Sequence, residues 1–148
     1  MNRLVLTLTV FTCGLTVEAT PARAADALYE ITQKTPKVAV GATATASLTI
    51  KAKSGWHVNA EAPINLALTA PAGLSLKKSK LTRADLAATS VDSARFDIPV
   101  SATEPGKKSI AAEARFVICQ ESACKPVKET LALAVDVTPA APGKHKAK

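Results

Sequence analysis

The sequence predicts an all-β protein, an antiparallel β-sandwich, from three observations. Apolar and polar residues alternate with period two in several segments, which is typical of strands with one buried and one solvent-exposed face. Turns rich in proline and glycine separate these segments, for example at Thr35-Pro36 and at residues 71–73. No long amphipathic segment intervenes, which argues against alternating strands and helices and favours packed antiparallel sheets.

The predicted strands follow one another through the chain. They are residues 28–32, 38–40, 46–53, 55–58, 64–69, 74–77, 96–101, 108–119 and 127–137. Residues 81–88 are predicted to form one short helical turn. Pro99 interrupts a strand pattern, and because proline has no backbone N–H, we expect a sheet edge or a bulge there.

The last two strands form a hairpin with two cysteines, Cys119 and Cys124, at its neck. Four residues, 120–123, separate them, a length that brings the flanking positions face to face. Directly opposed strand residues have Cβ atoms about 4.5 to 5.5 Å apart, slightly wide of disulfide spacing, so a modest local adjustment closes the bond. On the residues alone, redox cycling and a permanent disulfide remain equally open.

Local charge distinguishes the two cysteines. Lys125 and Lys128 follow Cys124, whereas Glu121 is nearer Cys119 in the sequence. A neighbouring cation lowers the pKa of a thiol, so Cys124 is the better candidate for the attacking thiolate.

The amino terminus is typical of a bacterial secretory signal. Arg3 precedes an apolar run over residues 4–17, and Ala22 and Ala24 are the small residues that signal peptidase reads. We expect residues 1–24 to be the signal peptide, 25–137 the domain and 138–148 a disordered basic tail. Cleavage removes Cys13 and leaves two cysteines in a protein exported to the periplasm, where disulfides form and persist.

Composition and motifs argue against several other functions. The net charge is +7, but part of it lies in the tail, without aromatic residues to stack on bases, so nucleic-acid binding is not expected. No second apolar stretch reaches the roughly 20 residues that span a bilayer. Two cysteines supply half a zinc ligand set, so no metal and no cofactor is predicted. His57 is predicted to be a structural or surface histidine, and Trp56 a core anchor.

Four segments in a fixed order carry a resemblance to a known family. They are SGWHVN at residues 54–59, PAG at 71–73, RFDIPV at 95–100 and the cysteine hairpin at 119–127. Together they resemble the amino-terminal periplasmic domain of DsbD-type thiol:disulfide interchange proteins, over roughly residues 29–137. The resemblance implies an immunoglobulin-like sandwich. It also implies two partners, a membrane-embedded reductant of the DsbD or CcdA type and thioredoxin-like periplasmic proteins.

The resemblance also implies roles for individual residues. Cys119 and Cys124 match the family's active pair, with Cys124 forming the intermolecular mixed disulfide and Cys119 resolving it. Well-known members have five residues between the cysteines, where this sequence has four. The family's cap loop covers the sulfurs with an aromatic side chain, whereas residues 82–90 here offer only Leu86. The sequence lacks the family's transmembrane and thioredoxin-like modules, so electrons are expected to come from another polypeptide.

Overall fold

A computed structural model describes residues 28–59 and 61–140 of the protein. The predicted signal peptide and residues 141–148 of the predicted tail lie outside the described residues. Within them the strands are β1 (Tyr29–Lys34), β2 (Lys37–Ala39), β3 (Thr43–Ala52), β4 (His57–Val58), β5 (Asn65–Thr69), β6 (Leu74–Leu76), β7 (Lys80–Thr82), β8 (Leu86–Thr89), β9 (Ser93–Ala102), β10 (Gly106–Gln120) and β11 (Ala123–Thr138). No helix in this part of the chain is long and apolar enough to cross a membrane.

The strands form two sheets that enclose one core. The first sheet has the order β1-β3-β9-β6, with β8 also paired to β9. The second has the order β2-β11-β10-β5-β7, with β4 also paired to β10. Neighbouring strands are antiparallel except for β2 and β11, which run parallel over three residues. The fold is the β-sandwich that the sequence predicts, of the immunoglobulin-like class that the resemblance implies.

Alternating burial on the long strands explains why the sheets pack face to face. In β3 and β9 every second residue is buried and its neighbours face solvent, because successive side chains of a strand point to opposite faces. The largest fully buried side chains include Leu48 and Ile50 of β3, Phe96 of β9 and Phe116 of β10. The core therefore lies between the inner strands of both sheets.

Tyr29 of β1 connects the two sheets. Its ring meets that of Phe116 edge to face, with 5.0 Å between centroids. Its hydroxyl donates a hydrogen bond to the carboxylate of Glu129 on β11. Burial, together with the hydrogen bond and the charge of Glu129, raises the pKa of Tyr29 to about 12. The phenol is therefore neutral at physiological pH and serves as a donor between the sheets.

The predicted helical turn at residues 81–88 is shorter in the structure. A single 3-10 turn covers Arg83–Asp85, and the residues on either side belong to β7 and β8. The carboxylate of Asp85 accepts the backbone N–H of Thr82 at 3.0 Å and pairs with Lys78. These local contacts fix one turn, while the flanking residues join the two sheets.

Pro99 lies in an inner strand, not at an edge. It pairs with Thr45 of β3 on one side of β9. On the other side of β9, β6 pairs with residues 100–102 and β8 pairs with residues 94–96. Residues 97–99 therefore have no strand partner on that side. The missing N–H of Pro99 thus falls where β9 has one neighbour instead of two.

Candidate functional site

The cysteine pair closes the end of the hairpin formed by β10 and β11. These strands pair without interruption from Gly106 opposite Val137 to Gln120 opposite Ala123. The turn is therefore only residues 121–122, shorter than the four-residue loop expected from the sequence, because Gln120 and Ala123 extend the ladder. We call residues 117–126 the hairpin tip.

Cys119 and Cys124 are directly opposed and form a disulfide, with 4.0 Å between their Cα atoms. Close approach is typical of antiparallel pairs that do not exchange backbone hydrogen bonds, whose Cα atoms lie about 4.5 Å apart. The register of the hairpin therefore brings the two sulfurs together.

The two cysteines differ in exposure. Cys119 is 3% exposed, whereas Cys124 is an exposed residue. Cys119 lies on an inner strand, between His57 of β4 and Cys124 of β11. Cys124 lies near the start of β11, and β2 joins that strand only at residues 136–138. Cys124 is therefore the more accessible residue of the pair.

The burial of Cys119 breaks the alternation of β10. Residues 110, 112, 114, 116 and 118 are buried in turn and face the core. Cys119 follows buried Ile118 directly, so by the pleat of the strand it belongs to the opposite, outward face. Its outward neighbours along β10, Val117 and Arg115, are half-buried and exposed. Cys119 is thus covered locally, outside the hydrophobic core.

Asn59 supplies part of that cover. It follows β4, and its backbone N–H donates to the carbonyl oxygen of Val117 at 2.9 Å. Its side-chain amide nitrogen donates to the Sγ atom of Cys119 at 3.4 Å. Sequence reasoning did not select Asn59, because its contact with the sulfur arises only when β4 pairs with β10.

The two lysines that distinguish Cys124 in the sequence are engaged elsewhere in the structure. The ammonium group of Lys125 lies over the ring of Trp56, 5.5 Å from its centroid. Lys128 forms an ion pair with Glu113 at 2.9 Å. That lysine, together with Arg115, lowers the pKa of the Glu113 carboxyl. Exposure, more than a neighbouring cation, distinguishes Cys124 in the folded protein.

Three other residues considered in the sequence lie near the tip. Trp56 packs against the core, as predicted. His57 is half-buried and directly opposite Cys119, a proximity that the sequence alone does not show. Leu86, which the resemblance implies is in the cap loop, also packs against the core, and with Asn59 it lines a cleft of about 250 Å³. Asn59 contributes a polar contact to the Cys119 sulfur.

Comparisons with known proteins give only distant structural likeness. No protein-family model matches the chain, and no curated protein matches it significantly in sequence. The PapD-like domain 7 of human CEP192 is 12% identical, with a TM-score of 0.43 and coverage of 88% of this chain and 100% of that one. AggA, the major subunit of aggregative adherence fimbriae type I from Escherichia coli, is 14% identical, with a TM-score of 0.41 and coverage of 74% and 94%.

A third solved structure covers domains 4 and 5 of the S-layer protein SbsC. It is 16% identical, with a TM-score of 0.42. The match covers 76% of this chain, which spans about half of that structure, 51% of its length. Similarity at this level carries no functional assignment.

Proposed function

We propose that this protein is a periplasmic thiol:disulfide exchange component that relays electrons through Cys119 and Cys124. The reductant is a membrane-embedded protein of the DsbD or CcdA type, and the acceptors are exported thioredoxin-like proteins. The secretory-type amino terminus and the ordered resemblance to DsbD-type domains support this setting. The observation that carries the proposal is a disulfide between one exposed and one buried cysteine at the end of a hairpin.

The asymmetry of the pair fits the chemistry of exchange. A thiolate attacks one sulfur of a disulfide and forms a mixed disulfide while the other sulfur leaves. Exposed Cys124 is the sulfur that a partner can reach, so it takes the mixed disulfide, and buried Cys119 is the leaving and resolving sulfur. Shielding of Cys119 also limits reaction of its thiol with small oxidants.

A second candidate function is an accessory or binding module in which the disulfide is permanent. The 3% exposure of Cys119 favours it, because a buried sulfur is reached by few reductants. The short loop that the disulfide closes argues against a permanent structural bond. In the chain-entropy model a closed loop of six residues contributes only about 2 kcal/mol to stability.

The reduction potential separates the two candidates. The purified protein is equilibrated in a series of glutathione or dithiothreitol buffers, and the fraction of free thiol is measured by alkylation and mass analysis. An exchange component is expected to titrate above about −300 mV, in the range where periplasmic carriers and isomerases lie. A potential below that value is typical of structural disulfides and contradicts the proposal.

A further inference from the structure

The amide of Asn59 is held in one orientation beside the disulfide. Its Oδ1 atom accepts the backbone N–H groups of Glu61 at 2.9 Å and of Ala62 at 3.2 Å. Its own backbone N–H is bound to Val117 of β10. A turn of this kind is common after asparagine, whose side chain accepts backbone hydrogen bonds two and three residues on.

This turn determines which amide atom faces the sulfur. A flipped amide would point its NH₂ group at two backbone N–H donors, so the oxygen must stay in the turn. The nitrogen is then left to donate to the Sγ atom of Cys119, 3.4 Å away. The donor is therefore in place before any reaction begins.

We infer that Asn59 is a catalytic residue that stabilises Cys119 as the leaving thiolate during disulfide exchange. This inference rests on the proposed function. A sulfur in a neutral disulfide is a weak hydrogen-bond acceptor, whereas a thiolate accepts a charge-assisted bond. The bond from Asn59 is thus stronger after Cys119 leaves than before, which favours the transition state over the ground state. Burial alone would disfavour that thiolate.

Reduction of the disulfide between Cys119 and Cys124 requires two electrons, which a dithiol protein supplies. Its thiolate attacks the Sγ atom of Cys124 and forms an intermolecular disulfide. The bond between Cys119 and Cys124 breaks, and its electron pair stays on Cys119 as a thiolate that receives the Asn59 hydrogen bond. The partner's second thiolate then attacks its own bridged sulfur and releases Cys124. The partner is left oxidised, and Cys119 and Cys124 are both reduced.

Titratable and charged residues on the elements next to Cys119 must be held constant in a test. His57 lies opposite it on β4, and the carboxylate of Glu61 meets the guanidinium of Arg83 at 3.9 Å. The hairpin turn adds Glu121, and β11 adds Lys125. A neutral substitution at Asn59 leaves each of these groups in place.

The test uses Asn59→Ser on a Cys124→Ala background, so that Cys119 is the remaining cysteine of the domain. Serine keeps an oxygen that can accept the turn's N–H groups, but its side chain is too short to reach the sulfur. The matched control is Asn65→Ser, a half-buried asparagine on neighbouring β5. Absorbance near 240 nm is recorded as a function of pH, and the midpoint of its rise reports the formation of the Cys119 thiolate. We expect Asn59→Ser to move its midpoint upward by about 1 pH unit, and the control to leave it unchanged.

Reduction of the otherwise native protein is the second measurement. The oxidised Asn59→Ser protein, in which both cysteines are kept, is expected to react several-fold more slowly with dithiothreitol than the Asn65→Ser control, because a poorer leaving thiol departs more slowly. If the Cys124→Ala variants do not fold, these reduction rates alone test the role of Asn59. Equal midpoints or, in this arm, equal rates overturn the role of Asn59. A potential below about −300 mV with a shifted midpoint would instead reject the proposed function, and with it the catalytic role, while supporting the hydrogen bond from Asn59 to the Cys119 thiolate.

Discussion

The two ends of the β10–β11 hairpin share one ladder but differ in what stabilises them. At the base, residues 106–114 paired with 129–137, the inward side chains Ile110, Ala112, Leu133 and Val135 are at most 2% exposed. At the tip, residues 123–126 of β11 are all exposed, and a disulfide joins the strands. Both strands of the base are held by the core, whereas at the tip Ile118 of β10 still reaches the core and β11 is held by the disulfide and polar contacts.

This difference separates the residues that stabilise the hairpin from those of the proposed exchange chemistry along one pair of strands. Local structure in a protein opens with free energies that follow its buried apolar contacts, so the base should open last. The tip departs from binary patterning, with a buried cysteine on the outward face and an amide turned toward it. Departures of this kind are expected at functional sites, where a local rule is broken for chemistry.

The largest expected effect is at the base. Leu133→Ala removes a side chain that is 0% exposed, so it should lower the free energy of unfolding by about 2–5 kcal/mol. Leu131→Ala, two positions along the same strand and only half-buried, is the matched control and should cost less. Chemical denaturation of the oxidised proteins measures both. If Leu133→Ala also shifts the reduction potential by tens of millivolts, the base and the tip are not separable.

A smaller loss of stability is expected when the disulfide is removed. Replacing both Cys119 and Cys124 by alanine should cost about 2 kcal/mol, because the bond closes a loop of only six residues in the unfolded chain. The wild-type protein reduced with dithiothreitol should unfold at the same denaturant concentration as this double variant. Far-UV circular dichroism should keep its β-sheet signal in both. Complete unfolding of the double variant would mean that the tip is a structural staple and would favour the accessory-module alternative.

Strand positions were predictable from the sequence because each long strand packs one face on the core, so that apolar and polar residues alternate along it. Residues 46–53 and 64–69, for example, match β3 and β5 closely. The cysteine pair was predictable as well, since a hairpin places its flanking positions opposite each other. The contact from Asn59 was not, because it depends on the pairing of two-residue β4 with β10. The sequence predicts a strand at residues 55–58, which contains β4, but it does not show which strand β4 pairs with.

The lysine argument from the sequence failed to anticipate the faces of β11. Adjacent strand residues point to opposite sides, so Lys125 is directed away from Cys124 and toward Trp56. Lys128 shares a face with Cys124 but is four residues away and bound to Glu113. Closeness in the sequence therefore led us to expect more positive charge near the Cys124 sulfur than the structure places there.

The smallest expected effect follows from this arrangement. On a Cys119→Ala background, Lys128→Met should change the rate at which Cys124 reacts with a neutral disulfide by no more than about twofold, because exposed ion pairs contribute little. Lys80→Met, at an exposed position on β7, controls for the change in net charge. A tenfold slower reaction, with the control unaffected, would restore the cation as the activator of Cys124. An unchanged rate, beside the expected response of Cys119 to Asn59→Ser, would mean that the asymmetry of the pair comes from exposure at one sulfur and a hydrogen-bond donor at the other.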